Sequence, residues 1–204
     1  MSQVITPPRV SVLFVCHGSV YKAMPDVETY GLPYRDARDF KGDTSIVTHA
    51  PCRAWSQLKA FARPPKGERW LAVWSVLQVR RNGGVLEHPR GSALWDRMNL
   101  PKPYEPPDEW GGWTMEIDQF HWGHKARKST WLYVVGTQEV PLMPYRAGGP
   151  THVVANASRT RKREGPNKAV MKSWCTKSER EQTPPAFARW LVDLARRCSK
   201  FHPA

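Results

Sequence analysis

The chain has 204 residues, enough for one sizeable hydrophobic core. Ten tryptophans and an aromatic share of 11% exclude a disordered chain, and no apolar run is long enough to span a membrane as a helix. The formal net charge of +13 points to a polyanion partner, nucleic acid before an anionic membrane surface.

The four cysteines, Cys16, Cys52, Cys175 and Cys198, show no Cys-x-x-Cys pair and no ligand spacing with histidine. Neither a metal site nor a disulfide framework is therefore expected. Met1 to Arg9 lack the apolar stretch of a secretory signal, so a cytoplasmic location is the expectation.

Val10 to Cys16 is nearly all apolar and reads as a strand buried on both faces. His17-Gly18-Ser19-Val20-Tyr21 follows as a turn, where a doubly wound fold has its first ligand loop. Gly18 and Ser19 suit a phosphate or carboxylate there, and equally an ordinary turn. Asp26 to Lys41 is polar and turn-rich and reads as a loop. Its Asp36 and Asp39 are either solvated or acceptors for a ligand's amino or hydroxyl groups.

Ser45-Ile46-Val47-Thr48 reads as a buried strand, stopped by Pro51. Arg53 to Phe61 then reads as a helix with Trp55, Leu58 and Phe61 on one face. Cys52 sits at this strand-to-helix turn, where backbone N–H groups favour an anion and lower a thiol pKa. It is a candidate nucleophile, with a buried inert thiol as the alternative. Glu68 to Arg81 reads as a helix with apolar positions Trp70, Val73, Trp74 and Leu77, closed by Asn82-Gly83-Gly84. Val85-Leu86 is a short strand with Glu87 at its end. Strand, helix and strand at this spacing form a βαβ unit with parallel strands. Cys52 and Glu87 then share one rim of the sheet, where open α/β folds bind ligands. A carboxylate beside a thiol there suits an acid working with a nucleophile.

Leu100 to Gly112 reads as a loop rich in Pro and Gly. Glu116 to His121 and Thr130 to Gly136 read as strands, joined by a linker carrying Lys125, Arg127 and Lys128. These cations either hold phosphates or form a basic hairpin turn. His121 and His124 are expected to hydrogen-bond rather than to bind a metal. Arg159, Arg161, Lys162, Arg163, Lys168 and Lys172, with Trp174 nearby, make a candidate nucleic-acid surface in a short basic insertion at about 137–174. A solvated loop is the alternative. Thr183-Pro184 is an N-cap and N1 pair, opening a helix to Lys200 with Phe187, Trp190, Leu191 and Leu194 on its core face. The expected fold is α/β: one compact domain over residues 1–204, with a Rossmann-like, mostly parallel sheet flanked by helices.

Ala50-Pro51-Cys52 with Trp55-Ser56 resembles the Pro-Pro-Cys…Ser motif of the cytosine-5 DNA methyltransferases. Leu86-Glu87-His88-Pro89 resembles that family's Glu-Asn-Val motif, and Gly123 to Gly136 its Gln-x-Arg-x-Arg motif with the strand after it. Lys177 to Arg189, with Arg180-Glu181 and Thr183-Pro184-Pro185, resembles its last two motifs. The order and spacing match over most of residues 45–195, and the chain looks most like the small, divergent members carried by bacteriophages. The resemblance implies a methyltransferase-like fold with a reduced N-terminal cosubstrate half and a minimal target-recognition region. It implies DNA as the partner, in a bacterial host's cytoplasm, with no metal and with a monomer as the simplest state.

The same resemblance implies a chemistry. Cys52 would attack C6 of a flipped-out pyrimidine, Glu87 would hydrogen-bond and protonate the ring at N3, and C5 would take an electrophile. Arg127 would support the base or the carboxylate. Arg53, Ser56, Lys125 and Lys128 would contact DNA beside the basic insertion. S-adenosylmethionine is the implied cosubstrate, near Phe14, His17, Gly18, Ser19, Asp36 and Pro184. The family's Phe-x-Gly-x-Gly is replaced here by Phe14-Val15-Cys16-His17-Gly18, with little room before Cys52 for a first helix and a second strand. That departure argues against S-adenosylmethionine. Three expectations follow: C5 methylation of cytosine in DNA as the default; transfer of an amine or amino acid, without S-adenosylmethionine, onto an activated 5-hydroxymethylpyrimidine in phage DNA; and a non-catalytic DNA-binding relative.

Overall fold

Six strands form the central sheet: β1 (Val10–Leu13), β2 (Val27–Tyr30), β3 (Ser45–Thr48), β4 (Gly84–Pro89), β5 (Trp113–Asp118) and β6 (Ser129–Val135). Their order is β2-β1-β3-β4-β6-β5. The first four run parallel, and β6 inserts antiparallel between β4 and β5. The computed structural model describes residues 9–57, 59–154 and 173–200. Within them a short parallel pair, β7 (His152–Val153) with β8 (Ser173–Trp174), forms a separate ribbon.

Strand alternation sorts the core into two layers. Val10, Val12, Val47, Val85, Leu132 and Val134 face α4 (Pro185–Arg197), which buries Phe187, Trp190, Leu191 and Leu194 against them. The intervening Leu13, Ile46, Leu86, Tyr133 and Val135 face α1 (Glu68–Asn82) and α2 (Leu94–Met98). The result is a mixed α/β fold with helices on both faces of the sheet. Each fully buried Val or Leu contributes roughly 1.5–3 kcal/mol of transfer free energy. Gly83 caps α1 with φ 74°, and Gly84 starts β4 with φ 132°. A Cβ on Gly84 would lie 2.1 Å from the Ile46 carbonyl oxygen, so only glycine lets β4 dock on β3 here.

The βαβ unit, the parallel β3 and β4, and the core face of the last helix stand as expected from the sequence. Other expectations are corrected. Helix α1 turns a different face inward: Ala72, Ser75, Val76 and Val79 are buried, while Trp70 and Leu77 are half exposed. The small Ala72 and Ser75 allow close approach, and Thr48 Oγ1 donates to Ser75 Oγ at 3.1 Å. Asp26 to Lys41 is not all loop, because it contains β2, an edge strand whose Glu28 is balanced by Arg35. A second strand therefore does fit before Cys52. The first helix does not: a 3-10 turn (Val20–Ala23) takes its position.

The helix expected from Arg53 to Phe61 is absent among the described residues. The Cys52 carbonyl accepts from both Trp55 and Ser56 N–H groups, and the Trp55 carbonyl is taken by Ala93 N–H at 2.9 Å, so helical pairing stops. Only a 3-10 turn (Lys59–Phe61) follows, and Phe61 is exposed. Strand β1 ends at Leu13, where Phe14 adopts φ 62°. The last helix is capped by Pro184, one residue later than Thr183. Ahead of it lies α3 (Lys177–Glu181), opened by a capping box between Thr176 and Glu179.

Candidate active site

The C-terminal ends of β1, β3 and β4 meet at one rim. The chain crosses from β2 on one side of β1 to β3 on the other, so a switch point lies between β1 and β3. Three polar side chains bridge this rim. Tyr21, in the turn after β1, has its hydroxyl 2.9 Å from His49 Nε2, just past β3. His49 Nδ1 lies 3.0 Å from Glu87 Oε2 on β4. Gln119, just past β5, donates from Nε2 to Glu87 Oε1 at 3.0 Å and to Thr130 Oγ1 at 3.0 Å. Both carboxylate oxygens are thus held.

Electrostatics separates the roles. Burial pushes the Glu87 carboxyl up, but the His49 hydrogen bond, Lys128, and the charges of His49 and His88 outweigh it and hold Glu87 at about 2. Glu87 is therefore a carboxylate at neutral pH and an acceptor. Burial pushes the Tyr21 phenol well up, with Glu87 adding to it, so its O–H stays protonated and donates to His49. That leaves His49 Nδ1–H to donate to Glu87.

Cys52 is half-buried on the loop after β3. Burial pushes its thiol up, the Glu87 charge pushes it further, and Lys128 opposes both. The expected lowering of this pKa by a helix N-terminus is overturned, because no helix begins at Cys52. The thiol rests protonated, in the field of Glu87, Lys128 and, more weakly, Glu181.

No protein-family model, curated protein or solved structure matches this chain.

The other sequence candidates fall into three groups. Lys128 joins the site, since its charge acts on both Cys52 and Glu87. Several are engaged elsewhere: Arg127 pairs with Asp118 at 3.0 Å, Arg53 with Glu68, and Lys125 with Glu179 at 2.6 Å. Ser56 is half-buried one turn beyond Cys52. Arg159, Arg161, Lys162, Arg163 and Lys168 lie outside the described residues. His121 Nδ1 accepts from Arg146 N–H at 3.2 Å, and His124 is buried against the Ala126 and Glu179 carbonyls. Among the described residues no group of three or more His, Cys, Asp or Glu side chains could hold a metal, and no helix is long and apolar enough to cross a membrane.

The residues near β1 and β2 do not fit S-adenosylmethionine. A nucleoside ribose in such folds is held by a free carboxylate near the second strand. Here β2 ends in Tyr30, Glu28 is held by Arg35, and both Asp36 oxygens are held by Arg38. Gly18 leads through Ser19 into a 3-10 turn of four residues rather than a helix. His17 stacks on Tyr34 at 5.5 Å between ring centroids, and Pro184 is buried as the cap of α4.

The sequence does not single out Tyr21, His49 and Gln119, which the fold brings together around Glu87. Each follows the C-terminal end of a strand, and polar residues at that end were the available signal.

Proposed function

We propose that this protein is a DNA pyrimidine-modifying transferase that works through a covalent bond between Cys52 and C6 of an extruded base. One observation carries the reading. Cys52, on the loop after β3, and Glu87, next after the last β3–β4 pair of Thr48 with Leu86, lie at the same rim of the parallel strands, where burial and the Glu87 charge both raise the thiol pKa. The Rossmann-like character of the parallel block β2-β1-β3-β4, with its switch point beside β1, supports a ligand cleft at this rim. The net charge of +13 supports DNA as the polyanion.

Extruding the base costs roughly a few kcal/mol, offset by backbone contacts. Glu87 hydrogen-bonds the ring at N3 and protonates it, which orients C6 toward Cys52 Sγ and makes it electrophilic. Loss of the thiol proton to solvent gives the thiolate, which adds to C6 and makes C5 nucleophilic.

Between the two electrophiles considered, the poor fit of the described residues near β1 and β2 to S-adenosylmethionine favours the one that does not need it. The base then carries a 5-CH2 group bearing a leaving group. The electron pair that C6–S bond formation moves onto C5 expels that group and leaves an exocyclic methylene at C5. An amine adds to the methylene carbon and loses a proton. Elimination of the Cys52 thiolate restores the C5=C6 double bond.

The test needs no knowledge of the electrophile. Attack at C6 lets a hydrogen on C5 exchange with water. DNA carrying [5-3H]deoxycytidine or [5-3H]deoxyuridine should release tritium with wild type and none with Cys52→Ala. Release by Cys52→Ala equal to wild type, or no release from either base in single- or double-stranded DNA, would overturn the proposal. Mass spectrometry of nucleosides from 5-hydroxymethylpyrimidine DNA, activated as its pyrophosphate ester and supplied with amines, then identifies the product.

A further inference from the structure

The reading above has Glu87 protonate the ring, yet Glu87 rests as a carboxylate that already accepts from His49 and Gln119. We infer that His49 is a positioning residue that carries this proton, passing it from the Tyr21–His49–Glu87 chain to the ring nitrogen of the bound pyrimidine. This rests on the proposed adduct chemistry and names the proton source within the same site.

The geometry is continuous. Tyr21 Oη, His49 Nε2, His49 Nδ1 and Glu87 Oε2 are linked by contacts of 2.9 and 3.0 Å across the switch point. Tyr21 is 1% exposed, so the outer end of the chain is closed to bulk water. Gln119, tied to Thr130, fixes the second carboxylate oxygen and leaves Glu87 one rotational state. The 3-10 turn that replaces a first helix is what brings Tyr21 to His49.

The proton path balances. In its protonated form His49 donates from Nε2–H to Tyr21 Oη and from Nδ1–H to Glu87. When the base seats, the Nδ1 proton moves to Glu87 and from Glu87 to the ring nitrogen, leaving neutral His49 and a carboxylate. The thiolate's attack on C6 then meets a ring that can accept the electron pair. On elimination of the thiolate the ring proton returns by the same path. The titratable groups around the chain are Tyr21 after β1, Cys52 after β3, Glu87 and His88 on β4, and Lys128 ahead of β6.

Two measurements on the full-length protein test this. The first is the pH dependence of tritium release for wild type, His49→Asn and Tyr21→Phe. A proton carrier of this kind is worth about 10²–10⁴-fold, so His49→Asn should lose at least about a hundredfold and lose the wild-type limb near neutral pH. A His49→Asn variant within about threefold of wild type, with the same profile, overturns the inference. The second is 15N NMR of the imidazole in the DNA-free protein, which reads structure rather than activity. Wild type should show the neutral His49 proton on Nδ1, and Glu87→Gln or Tyr21→Phe should relax that preference. If wild type releases no tritium, the adduct reading falls and the relay is judged on the NMR alone. An Nε2-protonated His49 in wild type, or one indifferent to both substitutions, overturns it.

Discussion

Cys52, on the loop after β3, lies at the same rim as Glu87 on β4, and burial together with the Glu87 carboxylate raises the pKa of the Cys52 thiol. In the proposed chemistry the acid therefore restrains the nucleophile. Glu87→Gln should speed alkylation of Cys52 by iodoacetamide at pH 7.5, by up to about tenfold, because removing the anion raises the thiolate fraction. The same variant should lose roughly 10²–10⁴-fold in tritium release. Peptide mass spectrometry separates Cys52 from the exposed Cys16.

Lys128 acts in the opposite sense on both groups. Lys128→Met should slow Cys52 alkylation severalfold. If Lys128 also meets a phosphate, the slope of log affinity against log salt should fall by about one. A filter-binding series across salt concentrations reads the second effect, and the alkylation rate reads the first.

His88 sets a window of acid sensitivity. Burial pushes its imidazole down to about 4, against the opposing pull of Glu87 and the neighbouring backbone of Ala50 and Pro51. The unfolded chain takes up this proton near 6.5, so between 6.5 and 4 it binds more protons than the folded protein. The stability is complete above 6.5 and is lost as pH falls toward 4, a swing on the order of 3 kcal/mol. Glu87 adds nothing in that window. Its contribution is present above 4.5 and is lost only as pH falls toward about 2. Urea midpoints at pH 7.5 and 5 should differ for wild type and differ less for His88→Gln.

Phe187 is fully buried, 5.2 Å from the Trp122 ring and 6.0 Å from Trp190. Phe187→Ala should cost about 3–5 kcal/mol, because three packed rings cannot collapse into the void. Chemical denaturation at neutral pH measures it.

The sequence showed most where one physical signal acted alone. The β-branched run into β3, the Asn82-Gly83-Gly84 stop and the aromatic face of the last helix are single-cause features, and the structure carries all three. It misled where tertiary contacts outweighed local pattern. The larger residues Trp70 and Leu77 suggested the core face of α1, but tight docking on β3 favours Ala72 and Ser75. Trp55 suggested a helix, but its carbonyl belongs to Ala93. Cys52 and Glu87 were legible at the rim because a βαβ unit fixes strand direction. Tyr21, His49 and Gln119 were not, because no periodicity links residues that meet only when four strands are in register.

Strand β5 forms the margin of the sheet, and the turn after it supplies Gln119. Peeling back that margin would free one oxygen of Glu87 while the Tyr21 and His49 side remained assembled. The centre is therefore only as rigid as its outermost ribbon, and amide exchange rates along Trp113–Asp118 would report its readiness without any substrate present.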